Sequence, residues 1–150
     1  MILMPENESD SKEIKREDAI AQLRYLERLY SQQYEVINDE LATYTIGLSG
    51  LRKNIEFLDT YGSIKGSSTL INCEGGTYVH AKIAESSTVL TYIGAGYLVE
   101  KGIEEAKAFV KENEKKEEEI LKKLSVEKQK ISAELADITY RLGALEQQVS

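Results

Sequence analysis

One cysteine, one histidine, one proline and no tryptophan in 150 residues leave little material for most kinds of catalysis. Lone Cys73 has no internal disulfide partner, and no CxxC or Cys/His spacing occurs, so the chain suits a reducing cytoplasm. His80 stands among strand-forming residues without triad or metal-ligand spacing, and it reads as an ordinary strand position, as does Cys73. Long hydrophobic runs are missing too. Nothing approaches the ~20 apolar residues of a membrane helix, and Met1-Ile2-Leu3-Met4 is too short for a signal-peptide core and has no basic residue before it. Positive charge is in deficit: 19 basic residues against 26 acidic ones give a formal charge of −7. An acidic chain repels phosphate backbones, so nucleic acid is not an expected partner. No Walker A string is present. Gly94-Ala95-Gly96 starts like a dinucleotide fingerprint, but Val99 stands where the third glycine belongs and strand-like Tyr97-Leu98-Val99 follows instead of a helix. With no converging acid, base, nucleophile or ligand set, the reading is a protein without enzymatic site, cofactor or metal.

What is present points to helices. Charged residues at 30% and a near absence of proline suit long helices better than a compact globule. Residues 1–11 are polar, contain Pro5, and read as a mobile tail. From 12 to 59 the apolar residues recur at alternating steps of three and four: Leu23, Leu26, Tyr30, Gln33, Ile37, then Leu41, Tyr44, Leu48, Leu51, Ile55 and Leu58. This is a heptad seam with a stutter between Ile37 and Leu41. Gly47 and Gly50 weaken the helix locally, by ~1 kcal/mol each relative to Ala. A second seam occupies 103–149: Ile103, Ala106, Val110, Asn113, Glu117, Ile120, Leu124, Glu127 and Ile131, then, after another stutter, Leu135, Ile138, Leu142, Leu145 and Val149.

Between the helices, residues 61–101 are rich in Gly, Ser, Thr, Val and Tyr. Leu70-Ile71 and Val79 through Ile83 flank a Glu74-Gly75-Gly76 turn; Val89 through Ile93 and Tyr97 through Val99 flank Gly94-Ala95-Gly96. Two β-hairpins result. The fold class is therefore α+β, mostly α: an antiparallel two-helix coiled coil with an inserted pair of hairpins, 12–150 forming one domain. An isolated hairpin is marginal in water, so the strands are expected to complete a β-barrel body with other subunits. Leu70, Ile71, Val79, Ile83, Val89, Ile93, Gly94, Gly96, Tyr97 and Val99 are the candidate assembly residues.

Ile14, Ile20, Tyr25, Leu29 and Tyr140 lie off the seam, in the halves of the helices expected to be farthest from the strands. They widen the seam or form an exposed apolar patch for binding other chains. The Glu/Lys-rich stretch from Lys111 to Lys123 reads as a solvated helix face.

The strings Thr69-Leu70-Ile71, Gly76-Thr77-Tyr78-Val79-His80-Ala81 and Val89 through Lys101 resemble the α-class prefoldin signature, and the resemblance continues into Glu104-Glu105-Ala106 and Phe109. Its most specific part is the V-G-x-G-Y-x-V-E-K pattern around Gly94-Ala95-Gly96-Tyr97. Asn72, Glu74 and Gly102 depart from it, where Pro, Gly and a Ser or Thr helix cap are usual. The resemblance implies, as in archaeal members, a hexamer of two α and four β subunits. Such a hexamer holds non-native polypeptides at coiled-coil tips without ATP and passes them to a group II chaperonin. Ile14, Ile20, Leu23, Leu142, Leu145 and Val149 are the expected tip contacts, since fraying helix ends expose seam residues. The alternatives are a structural scaffold or filament component without client binding, and an adaptor for one folded partner.

Overall fold

In a computed structural model, residues 8–147 are described. Their order is α1 (Glu8–Ile64), β1 (Ser68–Asn72), β2 (Tyr78–Lys82), β3 (Thr88–Gly94), β4 (Tyr97–Gly102) and α2 (Ile103–Gln147). The chain forms two compact units. Of the described residues, 8–43 and 121–147 belong to one and 44–120 to the other. Each contains a stretch of both helices.

In the first unit, Arg24 Nη2 lies 2.6 Å from Glu146 Oε1, and Lys128 Nζ lies 5.4 Å from the centre of the Tyr34 ring. In the second, Arg52 Nη2 meets Glu118 at 3.1 Å and Lys107 Nζ meets Asp59 at 3.2 Å. Within each unit, partners on α2 fall in number as those on α1 rise, so the two helices run antiparallel.

The seam itself differs from the sequence reading. On α1 the covered positions include Ile20, Leu23, Glu27, Tyr30, Tyr34, Ile37, Leu41, Tyr44, Leu48, Leu51, Ile55 and Leu58, which run in unbroken alternation of three and four. The expected stutter at Ile37 does not occur, because Glu27 and Tyr34 occupy the seam in place of Leu26 and Gln33. A glutamate stem and a tyrosine ring cover apolar surface while their polar ends reach water. On α2, Leu121 and Lys128 are covered where Ile120 and Glu127 were expected. The step of four after four therefore falls in the polar stretch Asn113–Glu117–Leu121, earlier than predicted.

Residues 8–11, read from sequence as tail, are helical, and α1 also runs past Asp59 to Ile64. The stop is Gly66, at φ +80°, where a Cβ would meet Glu85 Oε1 at 2.7 Å. Only a residue without a side chain fits that left-handed position. Tyr61, taken for the start of the strand region, is a buried helix residue whose hydroxyl donates toward the Ala84 and Ser86 carbonyls at 3.4 and 3.2 Å. Around the helix–strand junction, Leu58, Ala106 and Val110 form a buried cluster, with Leu51, Ile55, Val89, Ile103 and Phe109 packed on it.

Lys107 sits half-buried between Asp59 and Glu104, and its amine is held above the ordinary value of 10.5, chiefly by the Asp59 hydrogen bond. A raised lysine pKa contributes stability that is complete below 10.5 and lost only as pH rises through the raised value. Asp59→Asn is therefore expected to lower the unfolding midpoint equally at pH 6 and pH 9 in thermal melts.

Gly47 and Gly50, two of the helical glycines, differ in surroundings. Nothing lies within 4 Å of a Cβ built on Gly50, whereas one on Gly47 comes within 3.0 Å of Glu117 Oε2, an atom buried without a hydrogen-bond partner. Gly50→Ala is expected to stabilise the helix by about 0.5–1 kcal/mol. Gly47→Ala gains less, since the Glu117 carboxylate must move; denaturant titration followed by circular dichroism compares the two.

Candidate interaction surfaces

The strands form two separate antiparallel pairs, β1–β2 and β3–β4. In the first hairpin Leu70 pairs with His80 and Ile71 with Val79. Its turn is closed by Cys73 N–H donating to the Thr77 carbonyl at 2.9 Å, and Glu74 N–H donates to Asn72 Oδ1 at 2.9 Å. Asn72 thus supplies the Asx-turn bond that tightens the corner. Glu74, a departure from the family pattern, sits at φ +66°, a conformation that favours glycine.

The second hairpin pairs Leu90 with Glu100, Thr91 with Val99 and Gly94 with Tyr97, and Ile93 is the extra residue of a bulge. Ala95 and Gly96, both at positive φ, make the two-residue connection that a tight hairpin requires.

Of the candidate assembly residues, Leu70, Ile71, Val79, Ile93, Tyr97 and Val99 are all exposed, and Tyr78, Leu90, Tyr92 and Leu98 join them. Val89 instead packs on the helix–strand cluster, and Ile83 is half-buried, its N–H donating to the Ser67 carbonyl. Gly94 and Gly96 act through the backbone of the turn. On β3–β4, Leu90, Tyr92 and Leu98 share one face by strand alternation. Each pair also leaves both outer edges without backbone partners. Exposed apolar faces and open edges of this kind are the usual material of an interface.

The first unit carries another surface. Ala19, Gln22, Leu23, Leu26, Tyr140, Arg141, Ala144 and Leu145 line an open groove between the two helices, and Tyr25 flanks it on α1. Of the expected tip contacts, Leu23 and Leu145 line this groove, and Ile14 is 60% exposed. Ile20 is half-buried in the seam. Leu142 is 3% exposed, a full seam residue reachable only if the helices part. Val149 lies outside the described residues. Leu26, 40% exposed, was not among the expected tip contacts; Tyr140, 78% exposed, belongs to the off-seam apolar set for which a binding patch was one of the two readings.

Among the described residues no group of three or more His, Cys, Asp or Glu is placed to hold a metal, and no helix is long and apolar enough to cross a membrane. An antiparallel helix pair with unmet hairpins and an apolar groove defines an assembly subunit that works through surfaces.

Comparison with known proteins agrees. The family model "Prefoldin subunit" matches residues 30–148. The alpha subunit of prefoldin from Archaeoglobus fulgidus is 31% identical over 140 residues, 93% of this chain and 98% of that protein. The alpha subunit from Methanocorpusculum labreanum is 27% identical over 135 residues, 89% and 92% of the two chains. A chain of the filamentous prefoldin of Methanocaldococcus jannaschii, solved by cryo-EM, shares the fold with a TM-score of 0.64 at 20% identity, covering 76% of this chain and 95% of that one. This chain belongs to the prefoldin family, whose members are chaperone subunits.

Leu90→Asp combined with Leu98→Asp places two charges on the exposed β3–β4 face without touching the helix seam. Helical content by circular dichroism is expected to persist, while co-elution with β-type partner subunits on size-exclusion chromatography is lost.

Proposed function

We propose that this subunit is an ATP-independent holdase component. It assembles through its hairpins with β-type subunits, two α to four β, and captures non-native polypeptides at the ends of its coiled-coil helices. The observation that carries this reading is the groove at the helix ends, where Leu26, Tyr25 and Tyr140 stand exposed on an otherwise charged coil. Soluble chains seldom leave such apolar side chains grouped unless something binds them. One groove offers only a few apolar side chains, so it holds a client weakly. Several around one cavity raise the effective concentration and turn weak contacts into useful avidity. Release requires no nucleotide, since each contact is individually labile. Transfer to a group II chaperonin and a cytoplasmic setting complete the proposal.

A second reading is a filament or scaffold built from the same hairpins. It draws support from the filamentous assembly named for the Methanocaldococcus jannaschii fold relative. In that case the subunit alone elongates into fibres visible by electron microscopy, and the helix-end groove has no bearing on activity.

The test dilutes a chemically denatured client into buffer containing the assembled complex without nucleotide, and follows light scattering. Wild-type complex is expected to suppress aggregation in proportion to its concentration. Leu26→Ser with Tyr140→Ser is expected to weaken suppression several-fold with assembly intact, as is removal of the helix ends before Leu26 and after Ile138. Full suppression by the truncated complex would sink the holdase reading.

A further inference from the structure

Within the second unit the helix pair is unevenly made. On α2, Ala106 and Val110 are buried, but from Lys111 to Ile120, where the unit ends, no residue is. The seam positions of that stretch are the polar Asn113 and Glu117, where the step of four after four falls. On α1, Leu48 is the buried residue of the same layer, and Gly47 and Gly50 stand beside it inside the helix. Gly47 leaves the space that the Glu117 carboxylate takes, and Glu117 Oε2 is buried there without a hydrogen-bond partner. The charged link across the stretch is Arg52, 3.8 Å from Glu114 and 3.1 Å from Glu118, with its side chain 57% exposed.

Three costs coincide in this layer. Glycine inside a helix has more backbone freedom to lose on folding than any other residue. A buried carboxylate oxygen without a donor gives up its hydration for nothing. Polar seam positions add little of the apolar burial that holds a helix pair together. The exposed Arg52 pairs offset little of this, because water and salt screen them. Better-made stretches occur in both units. Leu58, Ala106 and Val110 are buried together in the second, and in the first Leu124, Ile131, Ile138 and Leu142 are buried at steps of seven and four.

We propose that residues 44–51 of α1 and 113–120 of α2 form a yielding layer, at which the helix pair opens before its seam gives way elsewhere. Opening there uncovers Leu48 and lets the Glu117 carboxylate reach water, while the seam from Leu124 to Leu142 stays closed. A coil without such a layer loosens from its ends inward, since helix termini fray first. The consequence for function rests on the holdase reading: a coil that yields within its length keeps the apolar groove at the helix ends intact while a bound chain moves.

Hydrogen exchange, read by mass spectrometry on the assembled complex, tests the layer directly. In wild type, amides of residues 44–51 and 113–120 are expected to exchange about tenfold faster than those of 135–142. Gly50→Ala, whose new methyl group meets no neighbour, is expected to slow the layer about two- to fivefold. Adding Glu117→Leu is expected to bring the slowing to about tenfold. Gly143→Ala, at an equally open helical glycine of the first unit, is expected to leave the layer unchanged. Exchange in the layer as slow as in 135–142, no slowing by either variant, or equal slowing by Gly143→Ala overturns the proposal. Light scattering from a denatured client then reads the consequence. The double variant is expected to suppress aggregation several-fold less well than wild type, although Leu26 and Tyr140 are untouched. Equal suppression overturns the functional consequence. No suppression by wild type fails the holdase reading itself, whatever the exchange pattern.

Discussion

A pair of helices has only one seam to bury, and the placement of that seam decides what every other residue is free to do. Each layer encloses side chains from two helices and leaves the remaining faces in water, so an apolar residue one position off the register stays exposed. On α1, Tyr34 and Ile37 close the seam, and Leu29 and Val36 are thereby left on its flank. The hydrophobic effect has no direction of its own. Surface left over from one contact is available for another, and here it is gathered into two grooves bordered by both helices.

The strands meet the same constraint in another form. A two-stranded hairpin satisfies one edge of each strand and at most one of its faces. On β3–β4 the helix–strand cluster takes Val89, and Thr91 is buried, but Leu90, Tyr92 and Leu98 on the opposite face have nothing to cover them. Two-stranded sheets of this length are marginal in water by themselves. Packing on the helices supports one face, and the other face and the outer edges are left open to further strands. The formal charge of −7 works alongside it, since like-charged surfaces resist the indiscriminate clustering that exposed apolar faces would otherwise invite.

Much of the architecture was legible in the chain before any coordinates. Alternating threes and fours announced both helices, and Glu74-Gly75-Gly76 and Gly94-Ala95-Gly96 announced both turns. The family string around Tyr97 pointed to prefoldin, a membership that the comparisons show independently. The register was not legible, because Leu26 looks a better seam residue than Glu27 when side chains are ranked by polarity alone. The end of α1 was misplaced for a similar reason. Gly62 resembles a helix breaker but remains helical, while the left-handed backbone that stops the helix belongs to Gly66. Among the expected contact residues, both Leu23 and Leu142 lie on the seam, but Leu142 is buried in it while Leu23 also borders the groove, a distinction that depends on which neighbour lies across from each.

Composition and period by themselves determined the kind of chain this is: acidic, helical at both ends and stranded in the middle. Those properties belong to each segment separately, through local propensity and spacing along the chain. Tertiary structure alone decided which of two adjacent candidates enters the seam, and hence which leucines stay wet. That choice depends on what the facing helix presents at the same height, where a tyrosine ring or a glutamate stem can cover more apolar surface than its polarity suggests.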